Sequence, residues 1–391
     1  MHLLLLSFYY SPDIGPGALR AKSMVEALIK YGPSDLKIDV ITTMPNRYHT
    51  FKVLAEEIEQ SEKLTIHRIK IPEHKNRMLN QSLCFFLYVI RARKLLLKKK
   101  FDIVVVTSGR LMSAFIGACV AKINHAKLYL DIRDLFTEAM QDLLAYMSFL
   151  SRIIIPILKI IEKWTFKAAN KINVVSPAFV SHIKKISPNL SPSVFTNGID
   201  EEFLYNDFKP KKNNKNITIL YAGNIGEGQG LDSILPEAAS YFKNIHFKLI
   251  GDGGARKKLI DKIQLKSLSN IELLKPIPRN ELINEYREAD ILFLHLNNFK
   301  AFQKVLPSKI FEYAATGKPI LAGASGYSAE FLKEKILGVE IFDPFNLDEM
   351  KISLQKLLKY NVLFDRKSFC KLYLRKNIME NLAKDILSLH K

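Results

Sequence analysis

The sequence has few of the features that mark disulfide-bonded, metal-stapled or membrane-spanning proteins. It holds three cysteines, Cys84, Cys119 and Cys370, which are odd in number and far apart. They form neither a disulfide framework nor a CxxC metal pair, which fits a reducing cytosol. No uncharged apolar run reaches ~18 residues, so we expect no transmembrane helix. The apolar run at 3–6 is too short for a signal peptide and favours a buried strand.

The composition is that of a globular protein with more than one domain. At 391 residues the chain has room for two or three domains of about 150 residues each. Apolar residues make up 48% of it and charged residues 25%, with modest glycine and proline contents. These values allow a full core in each domain and argue against disorder.

The charge is strongly positive and uneven. The formal net charge is +19, with 28 Lys and Arg against 15 Asp and Glu in residues 1–199, and 30 against 24 in residues 200–391. A basic first half attracts phosphates, anionic lipid or nucleic acid, although the same charge is equally consistent with solubility alone. Because the basic stretches lack a recognisable nucleic-acid motif, we expect no nucleic-acid partner.

Short apolar runs and longer helical patterns alternate along the chain. In the first half the runs lie at 3–9, 37–42, 102–107, 127–131 and 172–176, and the helical patterns lie at 16–31, 80–99, 110–122 and 149–169. The polar, basic stretch 205–216 is interpreted as a linker, and the alternation restarts at 217. This order predicts an α/β protein with parallel sheets covered by helices on both faces.

We therefore predict two doubly wound, Rossmann-like domains that face a central cleft. The expected domains are 1–204 and 217–372, and a C-terminal helix at about 373–391 is expected to pack back on the first. Ligands of such sheets bind at the carboxyl ends of the strands.

Glycine-rich loops follow several of the predicted strands. Gly15 and Gly17 precede the first helix, Gly223 and Gly226 belong to YAGNIGEGQGL, and Gly251 and Gly253 belong to LIGDGG. Glycine lets backbone N–H groups approach a phosphate closely. A plain strand–helix turn explains one such loop, but two at successive strand ends are less easily due to chance.

The segment 302–322 carries the strongest local signal. Pro307 and Ser308 suit the first turn of a helix, Lys309 lies in that turn, and Glu312 lies about one turn on. A helix N-terminus with Lys309 could hold a diphosphate, and a carboxylate could accept hydrogen bonds from ribose hydroxyls. The alternative is a surface Lys–Glu pair.

A second charged group follows the strand at 127–131. Asp131, Arg133 and Asp134 stand just past its carboxyl end, which makes them candidates for a site. A salt bridge within the loop is an equally good explanation.

Taken together, these segments resemble the nucleotide-sugar glycosyltransferases of family 4, which have the GT-B fold. The resemblance is closest to the branch that builds O-antigen and capsule polysaccharides, including aminosugar transferases of the fucosamine type. Its landmarks, in family order, are SPDIGPGA, TTMPNRY, DIRDLFTEA, INVVSPAF, FTNGIDEEF, YAGNIGEGQGL, LIGDGG and VLPSKIFEYAATGKP. The ordered set covers most of the chain.

The resemblance implies roles for individual residues. Glu312 matches the glutamate that binds the donor ribose, and Gly15 and Gly17 match the loop that faces the donor phosphates and the acceptor. Gly223 and Gly226 match the loop under the donor. Backbone segments complete the expected donor site: Val305, Leu306, Pro307 and Ser308 beside the diphosphate, and Pro276 and Ile277 at the base. Such enzymes usually retain the anomeric configuration and need neither a metal nor another cofactor.

Three positions depart from the broad family pattern. Lys304 stands near the place of a first glutamate, and Asn224 and Gln229 stand where Arg and Lys are common. The polysaccharide branch commonly tolerates the two amides. We hypothesise that Lys304, Lys309 and helix dipoles offset the diphosphate charge.

The expected reaction transfers a sugar, for which an N-acetylated aminosugar is a candidate, from a UDP-linked donor to a lipid-linked or saccharide acceptor. The transition state is oxocarbenium-like, and no carboxylate pair for double displacement is apparent. The resemblance implies front-face attack that the leaving phosphate assists. Asp131 would orient or deprotonate the acceptor, with Arg133 beside it.

Two basic, apolar stretches suggest contact with an anionic membrane. They span 145–171 and 88–101, and basic amphipathic helices lie on such surfaces. The first could equally be a core helix of the N-terminal domain. We expect a cytoplasmic protein, peripheral on the inner face of the cell membrane.

Two other functions stay open at this point. A GT-B sugar-nucleotide epimerase or hydrolase would act on the donor without an acceptor. A non-catalytic subunit would bind the donor and transfer nothing, which the departures at 224, 229 and 304 would explain.

Overall fold

The structure is a computed structural model that describes residues 1–47, 53–72, 87–93, 95–96, 99–145, 148–209, 217–360 and 362–390. Parts of three predicted segments lie outside the described residues, namely the helix 80–99, the linker 205–216 and the basic stretch 88–101. Tyr48 of TTMPNRY and residues 146–147 also lie outside them.

The chain divides into two compact units. The first comprises residues 1–197 and 375–391, and the second comprises 198–374. The first unit thus ends earlier than the predicted 204, because Ile199 and Phe203 are buried in the core of the second.

The first unit is built on one sheet of eight strands within its described residues. These strands are β1 (His2–Ser7), β2 (Lys37–Thr43), β3 (Ile58–Gln60), β4 (Leu64–Ile69), β5 (Ile103–Ser108), β6 (Lys127–Ile132), β7 (Lys171–Val174) and β8 (Ser193–Val194). Their order is β3-β4-β2-β1-β5-β6-β7-β8, and all neighbours are parallel except β3 and β4. The central strands are continuous apolar runs because both faces of the sheet are covered.

The helices of the first unit connect and cover these strands. They are α1 (Pro16–Tyr31), α2 (Leu111–Asn124), α3 (Phe136–Leu143), α4 (Ser148–Ala168), α5 (Val180–Ile186) and, from the C-terminal segment, α13 (Arg375–Leu387), with helical residues also at 87–93. Helix α13 packs on α1, where the Tyr31 hydroxyl donates to Glu380 Oε2 at 2.7 Å. None of the described helices is both long and apolar enough to cross a bilayer.

The second unit has a six-stranded, fully parallel sheet. Its strands are β9 (Ile217–Asn224), β10 (Ile245–Asp252), β11 (Ile271–Leu274), β12 (Ile291–His295), β13 (Ile320–Gly323) and β14 (Val339–Phe342), in the order β11-β10-β9-β12-β13-β14. Its helices are α6 (Leu231–Tyr241), α7 (Arg256–Leu265), α8 (Arg279–Glu288), α9 (Lys309–Ala315), α10 (Tyr327–Lys335), α11 (Leu347–Leu357) and α12 (Lys367–Leu372).

Alternate residues of the second sheet enter two separate cores. Leu220 and Leu292 lie in one buried cluster, whereas Ile219 and Phe293 lie in the other. Successive side chains of a strand point to opposite faces, so helices must cover both faces. The predicted α/β class with two parallel-sheet domains is therefore confirmed. Sequence analysis did not identify four strands: β3, β8 and β14, which lie at sheet edges, and β4, which has six residues and lies between β3 and β2.

Candidate functional site

The centre of the candidate site is the carboxylate of Glu312. Helix α9 begins at Lys309, with Ser308 at its N-cap, so Glu312 lies in the first turn. Its neighbours Phe311 and Tyr313 are fully buried, and Glu312 itself is only 5% exposed. An almost fully buried carboxylate must be paired, because desolvation of its charge is costly.

Three side chains meet this carboxylate. Arg279 Nη1 donates to Oε1 at 3.0 Å, while Lys309 Nζ and the Tyr286 hydroxyl donate to Oε2 at 2.8 and 2.9 Å. Lys309 Nζ also lies 2.9 Å from the Tyr286 hydroxyl oxygen. The alternative of a Lys–Glu pair at i, i+3 is thus realised, but inside the protein and not on its surface.

The charge balance keeps Glu312 ionised. Burial favours the neutral acid, but the adjacent Lys309 and Arg279 outweigh it and hold the pKa of Glu312 well below its usual range. Burial raises the pKa of the Tyr286 hydroxyl, which therefore stays protonated and serves as a donor. Glu312 is therefore negatively charged near pH 7 and lies beside the cations of Lys309 and Arg279.

Arg279 and Tyr286 are the functional residues that sequence reasoning missed. Besides Glu312, the Arg279 guanidinium pairs with Asp200 and Glu202 and stacks on Phe203, with 5.2 Å between Cζ and the ring centroid. The sequence held a signal for the pair. Arg279 opens the predicted helix 279–288, and Tyr286 lies seven residues later, on the same face of that helix. Arg279 directly follows the loop that the resemblance assigns to the base.

The structure brings Gly223 and Lys309 together. A Cβ placed on Gly223 would lie 3.7 Å from Lys309 Cε and 3.2 Å from the Tyr221 hydroxyl. Strand β9 therefore ends beside the ammonium group of Lys309.

Asn224 and Gln229, which replace the common Arg and Lys, bond to each other. Asn224 Nδ2 donates to Gln229 Oε1 at 2.8 Å, and the same oxygen accepts the Gly226 N–H at 3.2 Å. Buried His295 fixes the loop from below, since its Nδ1–H donates to the Gln229 carbonyl at 2.6 Å. Burial lowers the pKa of His295 to about 4, so the ring is neutral near pH 7. The two amides close the loop where two cations would have supplied charge.

Gly251 and Gly253 have a packing role that the sequence did not distinguish from ligand contact. A Cβ on Gly251 would overlap the Gly223 carbonyl, and one on Gly253 would lie 2.5 Å from the Ile225 carbonyl oxygen. The space that these glycines leave is filled by the backbone of the adjacent loop. They allow two strand ends to meet closely.

The remaining predicted donor residues flank this centre. Lys304 closes a short 3-10 turn (Phe302–Lys304), and Val305, Leu306, Pro307 and Ser308 lead from it into α9. Leu306 is buried in the core, so only its backbone could meet a ligand. Pro276 and Ile277 precede Arg279, and Ile277 packs on the same core.

In the first unit the structure corrects the role predicted for Asp131. Its side chain is fully buried, and Arg20 Nε and Nη2 donate to its two carboxylate oxygens, each at 2.8 Å. Thr107 Oγ1 and Asn173 Nδ2 complete its contacts at 2.6 and 2.7 Å. Because no face of this carboxylate reaches solvent, it does not meet an acceptor. Asp131 ties β6 to α1, β5 and β7.

Arg133 lies near Gly15 and Gly17 at the edge of the first sheet; Gly15 precedes α1 as predicted, whereas Gly17 lies in the first turn of α1 and not in the loop before it. A Cβ on Gly17 would overlap the Arg133 guanidinium, and one on Gly15 would lie 3.9 Å from Arg47 Nε. Buried Asp13 holds the two loops together by accepting the Asn46 and Arg47 N–H groups, each at 3.1 Å. The motifs SPDIGPGA and TTMPNRY thus form one surface.

Comparison with solved structures identifies the architecture as the GT-B fold. Sucrose-phosphate synthase from Thermosynechococcus elongatus aligns with a TM-score of 0.77 at 14% identity, covering 100% of this chain and 99% of that one. Anabaena HepE in complex with UDP-glucose aligns with a TM-score of 0.65 at 15% identity, covering 99% of each chain. At such identities the likeness shows the fold alone.

One family model matches residues of the second unit. Residues 204–371 match the family model described as Glycosyl transferases group 1, and this range contains the Glu312 site. The putative colanic acid biosynthesis glycosyl transferase WcaI of Escherichia coli (strain K12) is 32% identical over 117 residues. That alignment spans 29% of this chain and 28% of the relative.

Proposed function

We propose that this chain is a retaining glycosyltransferase that moves a sugar from a UDP-linked donor to a lipid-linked or saccharide acceptor in the synthesis of a bacterial surface polysaccharide. The buried Glu312–Lys309 pair within the group 1 domain is the observation that carries the proposal. HepE, with its bound UDP-glucose, supports the donor, and WcaI supports the polysaccharide product. An N-acetylated aminosugar is the sugar that we propose to test first.

Hydrogen-bonding capacity explains how this pair could hold a nucleotide. A carboxylate offers about four lone-pair sites, and Arg279, Lys309 and Tyr286 occupy three of them. One site on Oε1 is left for a ribose hydroxyl. Lys309 has three N–H donors and uses two, on Glu312 and Tyr286. The third is left for a phosphate oxygen.

The chemistry requires stabilisation of the leaving diphosphate. The bond between the anomeric carbon and the diphosphate oxygen breaks while the acceptor oxygen bonds to the same carbon. In front-face attack the acceptor proton passes to the leaving diphosphate. Lys309, held in place by Glu312 and Tyr286, is a fixed donor of the kind that stabilises such developing charge.

Calorimetry tests the donor site directly. We expect UDP or a UDP-sugar to bind the wild-type chain. Glu312→Gln should bind about 10–100-fold more weakly, because a hydrogen bond to a charged group is worth about 1.5–3 kcal/mol. Exposed Glu281 on α8 offers a matched control, and Glu281→Gln should bind as the wild type does. The absence of heat with UDP-, GDP- and ADP-sugars, and with the free nucleoside diphosphates, would rule out the proposal.

Incubation with donor alone separates the transferase from the other functions. A transferase should leave the donor largely intact until an acceptor extract is added. Rapid isomerisation or hydrolysis would instead indicate an epimerase or hydrolase, and binding without any transfer would indicate a non-catalytic subunit. The proposal includes no metal, so transfer should persist in excess EDTA.

Helix α4 provides the surface for the proposed membrane contact. Its buried side includes Ile155 and Phe166, so one face belongs to the core. The opposite face exposes Phe149 (74%), Ile157 (52%) and Ile160 (69%). The basic side chains on α4 are also exposed, namely Arg152, Lys159, Lys163 and Lys167. An exposed apolar face edged with cations is the pattern of a helix that lies on an anionic bilayer.

Vesicle sedimentation tests this surface. The triple variant Arg152→Gln, Lys159→Gln, Lys163→Gln should bind phosphatidylglycerol vesicles about a hundredfold more weakly, at roughly 1 kcal/mol per cation. The control Leu265→Ser removes an apolar side chain of the second unit that is 84% exposed, and it should leave vesicle binding unchanged. Binding that is insensitive to salt, or equal binding to phosphatidylcholine, would contradict the proposal.

A further inference from the structure

A buried lysine, Lys318, connects the two helices that carry the Glu312 site. It lies between the end of α9 and the start of β13, and it is only 1% exposed. Lysine is almost never fully buried unless its charge has a partner. Among the residues that the structure describes, none of the carboxylates lies within salt-bridge distance of its ammonium group. Other contacts must therefore explain its burial.

The ammonium group binds backbone carbonyls at the C-terminal end of α8. Its Nζ donates to the Arg287 carbonyl at 3.0 Å and also to the Ala289 carbonyl. The last carbonyls of a helix have no partner within the helix, and they form the negative end of its dipole. A buried cation satisfies both of these requirements. Lys318 therefore caps α8.

Nearby charges support this cap. Burial lowers the pKa of the Lys318 ammonium group, because desolvation disfavours its charged form. Asp290 and Glu288 act in the opposite direction, although they lie beyond salt-bridge distance. The end of α8 thus attracts the ammonium group through its carbonyls and through these two carboxylates.

The backbone of Lys318 is tied to the end of α9 as well. Its N–H donates to Thr316 Oγ1 at 3.1 Å, and its carbonyl accepts a hydrogen bond from Arg366 Nη2 at 2.9 Å. Arg366 Nη1 donates to the carbonyl of Ala314, in the last turn of α9, at 3.3 Å. One residue therefore joins the C-terminal ends of both helices.

The capped turn of α8 carries a residue of the candidate site. Tyr286 directly precedes Arg287, whose carbonyl accepts from Lys318. The Tyr286 hydroxyl lies 2.9 Å from both Glu312 Oε2 and Lys309 Nζ. A small displacement of this turn would move the hydroxyl out of hydrogen-bond range of the carboxylate.

We propose that Lys318 is a positioning residue of the donor site, because its cap on α8 keeps the Tyr286 hydroxyl on Glu312. This inference rests on the proposed function, since it assigns to Lys318 an effect on donor binding. The Lys318 side chain donates to backbone carbonyls, so its effect on the ligand passes through Tyr286.

A double-mutant cycle with UDP as the ligand tests this role. Lys318→Met removes the ammonium group from a side chain of similar length. It should bind UDP about two- to tenfold more weakly, the range of one neutral hydrogen bond. Once Tyr286→Phe has removed the hydroxyl, Lys318→Met should weaken UDP binding by less than about twofold more. A general loss of stability would instead act equally in both backgrounds.

Asn270 offers a matched control for the loss of a helix cap. Its Nδ2 donates to three carbonyls at the C-terminal end of α6, those of Ala239, Phe242 and Ile245, at 3.1, 3.0 and 3.0 Å. Asn270→Ala should leave UDP binding unchanged. Lys318→Gln, which keeps an N–H donor on a shorter side chain, enters the same cycle if Lys318→Met does not fold, and the same lack of additivity is expected.

Carbon-13 NMR of tyrosine labelled at Cζ follows the Tyr286 hydroxyl in the absence of ligand. Tyr286→Phe identifies its resonance among those of the 15 tyrosines. Lys318→Met should shift this resonance, because the hydroxyl loses its place on Glu312, whereas Asn270→Ala should leave it in place.

Three outcomes overturn the inference. They are wild-type UDP affinity in Lys318→Met, an equal loss of affinity in both backgrounds, and a Tyr286 resonance that does not move. If UDP gives no heat with the wild type, the proposed function fails. The Tyr286 resonance then decides by itself whether Lys318 positions this side chain.

Discussion

Replacement of Asp131 by asparagine should destabilise the first unit without any direct effect on donor binding. Asp131 and Arg20 are both fully buried, and the carboxylate accepts four hydrogen bonds, two of them from Arg20. Asparagine keeps one oxygen but directs an NH₂ group at a donor. It also leaves the Arg20 charge buried without a counter-charge.

The expected loss is about 3–5 kcal/mol, the usual result of removing one partner of a buried ion pair. Coulomb's law gives a similar figure, about 4 kcal/mol for unit charges 4 Å apart at an effective dielectric constant of 20. For a domain of about 200 residues this corresponds to a fall in Tm of roughly 6–20 °C. Calorimetric melting and urea unfolding at pH 7 measure it.

Glu62→Gln is the matched control, because Glu62 is an exposed carboxylate of the same unit. Its change in stability should stay within about 0.5 kcal/mol. The combined variant Arg20→Met, Asp131→Leu should recover part of the loss. Recovery will be incomplete, because Arg20 also donates to the carbonyls of Phe195 and Thr196, each at 2.8 Å.

The pH dependence has a definite sign. Burial acts to raise the pKa of Asp131, but Arg20, Thr107 and Asn173 outweigh it and hold the pKa below its usual value. The carboxylate therefore contributes stability above its unfolded pKa, and this contribution is lost as pH falls through the folded pKa. The gap between wild type and Asp131→Asn should narrow in acid. An Asp131→Asn chain that melts within 1 °C of the wild type at pH 7 would refute this reasoning.

Three further predictions follow from other contacts. His182 lies between Glu138 (2.9 Å) and Glu162 (3.2 Å), whose hydrogen bonds outweigh burial and raise the pKa of His182 to about 9. The variant His182→Gln should therefore lower Tm most below about pH 6.5 and progressively less up to about pH 9. A difference in Tm that does not depend on pH would contradict this. Gly251→Ala should cost about 1–3 kcal/mol, because its methyl group would overlap the Gly223 carbonyl at 1.9 Å. Gly223→Ala, whose nearest neighbour is the Tyr221 hydroxyl at 3.2 Å, should cost less in urea unfolding, and the reverse order would count against the packing role. Lys309→Ala should raise the donor KM or lower turnover by more than tenfold, about 1.4 kcal/mol. Lys333→Ala, at an exposed position on α10, is the control and should leave both unchanged. An unchanged rate in Lys309→Ala would remove Lys309 from the mechanism.

The fold was predictable where the pattern of apolar residues along the chain indicates an element by itself. Strands such as β1, β5 and β9 are short apolar runs between helical patterns, and buried parallel strands require such runs. The edge strands β3 and β14 were not identified because each is short and only partly buried. The boundary at 198 also escaped sequence reading, since Ile199 and Phe203 follow no break in pattern and belong to the second core only through packing.

The candidate site was predictable in part for the same reason. Glu312, Lys309 and Gly223 stand at strand ends or in the first turn of a helix, positions that the alternation of elements locates. The position of Arg279 at the start of a predicted helix was visible in the sequence, but its pairing was not, because its carboxylate partners lie at 200, 202 and 312. Asp131 and Asp134 look alike in DIRDLFTEA, and only their burial separates them.

The sequence by itself determined the α/β class, the two parallel-sheet units and the order of the motifs, because period-2 and period-3.6 patterns record which faces of each element are covered. Only the tertiary structure decided which charged side chains are buried in ion pairs and which are exposed to solvent. Side chains that pair across distant segments, such as Arg20 with Asp131, meet through strand order and helix packing. Burial and pairing set the energy of each charge, and neither can be read from neighbours along the chain.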